Sequence, residues 1–265
     1  MRLKIAHTTR YDFDAPVGYG LQQLRKTPKT TGLQKVLTWS TTINGGHKEL
    51  QFQDHHRNHV DLVSYAPGTR ALEIVSEGEV EMTDNHGVVG PHKGYAPLWL
   101  FQRATVLTKP GKGCRDLLAK IPDGAEIDRF HTLSALIAQA VTYETGKSET
   151  HWTAEDVITA GHGVCQDHAH VFLACARALG YPARYVSGYL MMNDRIRQEA
   201  MHAWAEVHVN GLGWVGFDVS NGISPDTRYV RVATGLDYAE AAPVSGTRFG
   251  TAGESLSVAV DVAQQ

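Results

Sequence analysis

The first hundred residues alternate between apolar and polar positions in short runs, which is the pattern of half-buried β-strands. Residues 36–43 are the clearest example, with Leu37, Trp39 and Ile43 on one face and Val36 on the other. The Asn-Gly-Gly at 44–46 then supplies a turn of the kind found in hairpins. Because turn-rich breaks separate several such runs, we predict an N-terminal β-sandwich over residues 1–109.

The periodicity changes after the Pro and Gly residues of TKPGKG (108–113), which break both helices and strands. Phe130, Leu133 and Ile137 recur at helical spacing, Thr153 begins a second helix, and a third runs from about Cys165 to Leu179. Three strands follow, near residues 183–192, 202–209 and 213–219. We predict a second, catalytic domain over residues 110–265 and an α+β fold, in which the last thirty or so residues return as a strand or wrap around the protein.

Cys165 lies in the first turn of the third predicted helix, directly after the glycine-bracketed segment 161–163. The free N–H groups of a helix N-terminus and the helix dipole favour an anion there, which increases the thiolate fraction of a cysteine. The alternative is a small buried residue of the core, and we assign that role to Cys175, which lies on the same helix face. Cys165 therefore needs a neighbouring base to be read as a nucleophile.

His202 and Asp218 are the candidates for the base and the acid that orients it. The alternation of HAWAEVHV (202–209) predicts a strand, and a three-residue turn at 210–212 leads into a returning strand. That register places Trp204 opposite Asp218 and His202 one diagonal step away, about 7 to 8 Å, within reach of a hydrogen bond between the side chains. We predict a catalytic triad of Cys165, His202 and Asp218, with the imidazole as general base and acid.

The segments around these three residues resemble the transglutaminase-like superfamily. The likeness lies in GHGVCQDHAHVFLACARALGYPARYVSGYL (161–190) and HAWAEVHVNGLGWVGFDVSNG (202–222). It extends to the bacterial N-terminal β region in HTTRYDFDAPVGYGLQQLRKTP (7–28) and to the tail in GLDYAEAAPVSGTRFG (235–250). The chain differs from the family pattern at five positions: Val219 and Ser220 replace Pro-Thr, Leu236 replaces Arg, and His162 and His168 stand where Arg and an aromatic residue are expected.

The resemblance implies a papain-like transglutaminase core that acts on a peptide or amide substrate without a metal or an organic cofactor. We expect Trp204, His162 and Gln166 to bind substrate, although Trp204 is equally consistent with a core position. We also expect His162, His168 and His208 to form a solvated rim around the active-site cleft. That expectation favours hydrolysis of the thioester over transamidation, which would need a dry acceptor channel. A non-catalytic member of the family that binds a partner is a further alternative.

Two histidine-rich segments allow a metal-site interpretation. His162, Cys165, His168 and His170 offer four ligands, but their spacing is not that of a structural zinc site, and His170 points away from Cys165 on the helix. We therefore favour the covalent mechanism. DHHRNH (54–59) stands where the family usually has an Asp-x-x-Gly-Asn turn, and we interpret it as a solvated turn.

Composition limits the partners. The 265 residues carry 25 Lys and Arg against 28 Asp and Glu, a net charge of −3 that does not favour nucleic acid or an anionic membrane. No run of about 18 apolar residues, the length of a membrane-spanning helix, occurs. The start of the chain lacks the pattern of a signal peptide, and three cysteines cannot all pair, so we expect a cytoplasmic protein.

Overall fold

The structure is a computed structural model, which describes residues 1–250 and 252–265. These residues form sixteen strands, five α-helices and one 3-10 helix at Leu98–Gln102. The strands are β1 (Arg2–Val17), β2 (Tyr19–Leu24), β3 (Gln34–Asn44), β4 (Gly46–Gln53), β5 (His59–Tyr65), β6 (Thr69–Met82), β7 (Val88–Gly90), β8 (Thr142–Tyr143), β9 (His162–Gly163), β10 (Ala183–Leu190), β11 (Arg197–Gln198), β12 (His202–Val209), β13 (Gly213–Phe217), β14 (Tyr229–Gly235), β15 (Val244–Phe249) and β16 (Glu254–Gln264). The helices are α1 (Lys112–Leu118), α2 (Glu126–Ala140), α3 (Ala154–Ala160), α4 (Cys165–Ala178) and α5 (Tyr238–Ala241).

Two antiparallel sheets contain most of the N-terminal half. One has the strand order β11-β16-β1-β6-β3, and the other has the order β15-β2-β5-β4. Both contribute to one hydrophobic cluster, in which Phe13 and Leu72 come from the first sheet and Val63 and Tyr65 from the second. The protein is thus mostly β-sheet, with its helices inserted in the C-terminal half.

The turn at Asn44 does not form the hairpin that its Asn-Gly sequence suggests. β3 pairs with β6, whereas β4 pairs with β5 in the other sheet. Gly45 has a φ of 85°, and a Cβ at this position would lie 2.0 Å from the carbonyl oxygen of Ala71. The glycine is required because the chain passes closely over β6 as it crosses between sheets.

The C-terminal segment returns to the N-terminal sheets as two strands, as the sequence led us to expect. β16 runs antiparallel to β1 along eleven residue pairs, from Leu3↔Gln264 to Phe13↔Glu254, and β15 pairs with β2. In the opposite direction, β7 pairs with β13 in the sheet of the C-terminal half. Strands from the two halves of the chain therefore pair with one another across the predicted domain boundary at residues 109 and 110.

The third large sheet has the order β14-β10-β12-β13-β7, and α4 packs against β12 and β10. α4 is buried along almost its whole length, and Phe172 stacks on Phe217 of β13 with ring centroids 5.2 Å apart. The predicted stripe of Phe130, Leu133 and Ile137 is buried against this core. None of the helices in the described part of the chain combines the length and the apolar composition that a membrane crossing requires.

Candidate active site

The N-terminus of α4 is held by the two glycines that precede it. α3 ends at Gly161, which has a left-handed backbone with φ 71°. A Cβ at Gly163 would lie 2.7 Å from the Cβ of Asp167. The missing side chain lets Asp167 turn back so that its Oδ2 accepts the Val164 N–H at 2.8 Å. The helix consequently begins at Cys165, whose side chain is half-buried.

The hairpin of β12 and β13 has the predicted register. Ala205 lies opposite Phe217 and Val209 opposite Gly213, which places Trp204 level with Asp218. His202 is one diagonal step further, and its Nε2 lies 2.6 Å from Oδ2 of Asp218. This contact leaves Nδ1 as the other ring nitrogen, and His202 and Cys165 line the same cavity and interact electrostatically.

Asp218 is buried and fully engaged by hydrogen bonds. Its Oδ2 accepts from the Tyr229 hydroxyl at 2.8 Å and from the Asn221 amide at 2.6 Å, in addition to His202. Burial raises the pKa of Asp218, but these hydrogen bonds outweigh it and hold the pKa below the ordinary value of 3.8. The carboxylate is thus charged at neutral pH and fixed in position.

Burial alone would lower the pKa of His202. The negative charge of the Cys165 thiolate and the hydrogen bond to Asp218 outweigh burial and raise the pKa from 6.5 to about 10. The imidazole ring is held from behind by Trp204, which lies nearly parallel to it at a centroid distance of 6.2 Å. The geometry therefore holds a protonated, oriented imidazole beside the Cys165 side chain, which is the pairing that papain-like cysteine catalysis uses.

Family comparisons agree with this arrangement. The sequence family described as the transglutaminase-like superfamily matches residues 115–219, which contain Cys165, His202 and Asp218. The family described as the bacterial transglutaminase-like N-terminal region matches residues 3–81. The chain thus contains a transglutaminase-like core, preceded by a bacterial transglutaminase-like N-terminal region. The resemblance inferred from the sequence is thereby confirmed.

Individual relatives extend the likeness along the chain. An uncharacterized Mycobacterium leprae protein is 24% identical over 289 residues and covers 98% of both chains. An uncharacterized Mycobacterium tuberculosis protein is 35% identical over 153 residues, 54% of this chain and 49% of that protein. A crystal structure from Cytophaga hutchinsonii, described as a proposed cysteine protease, has a TM-score of 0.79 and 22% identity, covering 99% of this chain and 90% of that one. The fold is therefore shared over both halves of this transglutaminase-like protein.

Cys165 and His202 open onto a cavity of about 270 Å³. Its walls come from three parts of the chain: the catalytic core supplies Tyr185 and Gln166, the tail supplies Tyr238, and β1 supplies Thr9. A second cavity of about 600 Å³ shares Tyr238 with the first and has walls of mixed polarity. The N-terminal sheet therefore forms part of the candidate site.

The three predicted substrate-binding residues have different positions. Gln166 lines the cavity with Cys165. Trp204 is 1% exposed and packs behind His202 against Tyr229, so it belongs to the core that orients the base. His162 is not among the lining residues, and its Nδ1 lies 3.0 Å from the carbonyl oxygen of Ala160.

The predicted histidine rim is wrong, because neither His168 nor His208 faces the cavity. His168 is buried, with Nε2 3.0 Å from the carbonyl oxygen of Val141, and His208 packs edge-on against Trp214. His170 is also buried, and its Nε2 accepts the Tyr238 N–H at 3.2 Å. These ring nitrogens bond in different directions and do not converge on Cys165.

The turn that we expected to be solvated is a docking contact. Asn58 is fully buried, donates to the carbonyl oxygen of Thr234 at 2.7 Å and accepts the Thr234 N–H at 2.9 Å. His56 lies with Nε2 2.7 Å from Oε2 of Glu240. Within residues 1–250 and 252–265, the one group with metal-ligand proximity is here, at His55, His56 and Glu240, rather than around Cys165.

Four residues of the site were missed by the sequence reasoning. Asn221 follows Asp218 closely, and its position in the turn was a usable signal. Tyr229 carried no local signal, since it reaches Asp218 from β14. His7 and Thr9 reach the cavity from the start of the chain, and only the sheet topology reveals this.

Proposed function

We propose that this protein cleaves an amide, peptide or isopeptide bond through a thioester on Cys165. The observation that carries the proposal is the convergence of Cys165 and His202 on one cavity wall, with Asp218 hydrogen-bonded behind the imidazole. A nucleophile, a base and an acid that orients the base are the three groups that this chemistry requires, whereas binding of a partner requires none of them.

The first half of the reaction acylates the cysteine. The Cys165 thiolate attacks the substrate carbonyl carbon, and the C–N bond breaks as the proton of His202 passes to the departing amine. Backbone N–H groups in the first turn of α4 are positioned to stabilise the oxyanion. Asp218 holds the imidazole in its orientation and stabilises its charged form.

The second half transfers the acyl group to water. His202, now neutral, takes a proton from a water molecule whose oxygen attacks the thioester carbonyl, and the acid and the thiolate are released. The second cavity, whose walls are more polar than those of the catalytic cavity, supports this choice of acceptor. Its walls include Gln22, Arg248 and Glu254, and it shares Tyr11 and Tyr238 with the first cavity.

Transamidation is the second candidate, and one observation favours it. The cavity walls next to Cys165 are largely aromatic and aliphatic, for example Tyr185, Met201 and Val258, instead of the wet histidine rim that we expected. An apolar environment protects a thioester from water until an amine arrives.

Product partitioning distinguishes the two reactions. Incubating the protein with a glutamine-containing peptide library and a labelled primary amine yields either free acid or amine adduct. We expect mainly acid, and Cys165→Ala should abolish both products. Adduct in excess at modest amine concentration would replace the hydrolase proposal with transamidation, and unchanged activity of Cys165→Ala would reject a Cys165 thioester altogether.

We also propose that the protein works in a reducing compartment such as the cytoplasm. Cys114, Cys165 and Cys175 are all free thiols, and the mechanism requires that Cys165 stays reduced.

A further inference from the structure

The inward-facing side chains of β1 change from apolar to polar where the strand lines the catalytic cavity. Leu3, Ile5 and Phe13 point into apolar cores, as expected for a strand buried on one side. Between them, at the same face, lie His7 and Thr9, both nearly fully buried and both lining the cavity of Cys165. Polar side chains at such positions are retained only when they have partners.

Those partners form a chain of hydrogen bonds that ends at a buried lysine. Tyr189 lies with its hydroxyl 3.1 Å from Nδ1 of His7, and Nε2 of His7 lies 3.2 Å from Oγ1 of Thr9. Lys26 donates from Nζ to the same Thr9 hydroxyl at 2.5 Å. Only 1% of Lys26 is exposed, so its ammonium group lies one hydrogen bond behind a cavity-lining hydroxyl.

Lys26 has no counter-charge. Among the residues that the structure describes, no carboxylate acts on it, and burial alone lowers its pKa from 10.5 to about 7. His7 does not share the charge, because burial and the nearby Lys26 hold its pKa well below 6.5. An isolated buried ammonium costs several kcal/mol of folding free energy, which an arriving anion would offset.

We propose that the cavity recognises a carboxylate on its substrate, with Thr9 and the buried Lys26 forming the anion subsite. This inference rests on the proposed function, since it names the class of amide that Cys165 attacks: an amide that carries a carboxylate, such as a half-amide of a dicarboxylic acid or a peptide with an acidic side chain. Glu199 also lines the cavity, but it is exposed, so water and salt screen its charge.

Charge-matched alkylating agents test the subsite without a known substrate. The probes are N-iodoacetyl derivatives of glycine, β-alanine and γ-aminobutyrate, each compared with its neutral primary amide. The rate of Cys165 modification is measured by mass spectrometry in the wild type, in Lys26→Met and in a surface control, Lys35→Met. We expect at least one carboxylate to react about tenfold faster than its amide, a ratio typical of one well-placed charge interaction.

In Lys26→Met that ratio should fall to about one, whereas Lys35→Met should keep the ratio of the wild type. Lys26→Met removes a buried charge and keeps the length of the side chain, so its melting temperature should not fall. Equal rates for every carboxylate and its amide in the wild type would overturn the subsite, and so would a preference that survives in Lys26→Met. If wild-type Cys165 reacts slowly with the neutral amides, the proposed activation of Cys165 is contradicted instead. The experiment therefore distinguishes failure of the anion subsite from failure of the proposed function.

Discussion

The Ser220 hydroxyl donates a hydrogen bond of 2.8 Å to Nδ1 of His168, which joins the nucleophile helix to the loop after Asp218. Both residues depart from the family pattern, which has an aromatic residue and a threonine at these positions. The two departures therefore meet in space, in a polar contact. The contact is partly buried, and Ser220 lies two residues after Asp218.

A double-mutant cycle measures this contact. His168→Phe restores the aromatic residue and Ser220→Ala removes the hydroxyl, so the two variants break the same hydrogen bond. We expect a coupling free energy of about 1 kcal/mol in urea unfolding, because the bond is partly buried and its loss in either single variant leaves the partner without this hydrogen bond. Strictly additive effects would mean that the two side chains act independently.

Tyr229 is expected to position Asp218. Tyr229→Phe removes one of the hydrogen bonds to the carboxylate and leaves the ring packing against Trp204 intact. A buried hydrogen bond to a charged group contributes about 1.5 to 3 kcal/mol, so the variant should unfold more easily and its Cys165 should react more slowly with iodoacetamide. Tyr181→Phe, which alters a tyrosine packed on Phe130 away from the site, serves as the control. Equal alkylation rates in the two variants would show that Tyr229 does not position Asp218.

The local part of the site follows from the sequence because it depends on short-range rules. The three-residue turn after Val209 fixes the strand register, and the register in turn brings His202 to Asp218. The capping box of Thr153 and Asp156 is likewise a local pattern and is present. Predictions of this kind succeed when both partners lie within a hairpin or one helical turn.

The predictions that failed depend on long-range packing. The solvated-turn interpretation missed that Asn58 meets Thr234, a partner 176 residues away. The rim interpretation treated His168 as exposed because a histidine on a mixed helix face gives no sign of what covers it. The contribution of β1 to the cavity is set by sheet order, which alternation within one strand does not reveal.

The pH dependence of stability should report the protonation of His202. Its pKa in the folded protein is raised from 6.5 to about 10, so protonation stabilises the fold. That contribution is fully present below pH 6.5 and is lost as the pH rises through about 10. The melting temperature of the wild type minus that of His202→Gln should therefore decrease from pH 7 to pH 10. A difference that stays constant would show that His202 is not stabilised as a cation.

Asn58 should be essential for docking of the N-terminal sheets against the catalytic tail. Asn58→Ala leaves the buried N–H and carbonyl of Thr234 without partners, and each unsatisfied group costs about 1 to 3 kcal/mol. We expect a destabilisation of at least about 2 kcal/mol in urea unfolding. His55→Ala in the same turn, where the side chain is exposed, should change stability by less than about 0.5 kcal/mol. Similar effects of the two substitutions would contradict the docking role.

The central claim is that His202 activates Cys165, and the alkylation rate of Cys165 at pH 6 tests it most directly. Iodoacetamide modification is followed by mass spectrometry in the wild type and in His202→Ala, with N-acetylcysteine as the reference thiol and the fully buried Cys175 as an internal control. We predict that wild-type Cys165 reacts at least about tenfold faster than the reference, because a thiolate paired with an imidazolium persists where an ordinary thiol is protonated. In His202→Ala the rate should fall to that of the reference or below. A wild-type Cys165 that reacts no faster than N-acetylcysteine, or a rate that is unchanged without His202, would contradict the mechanism.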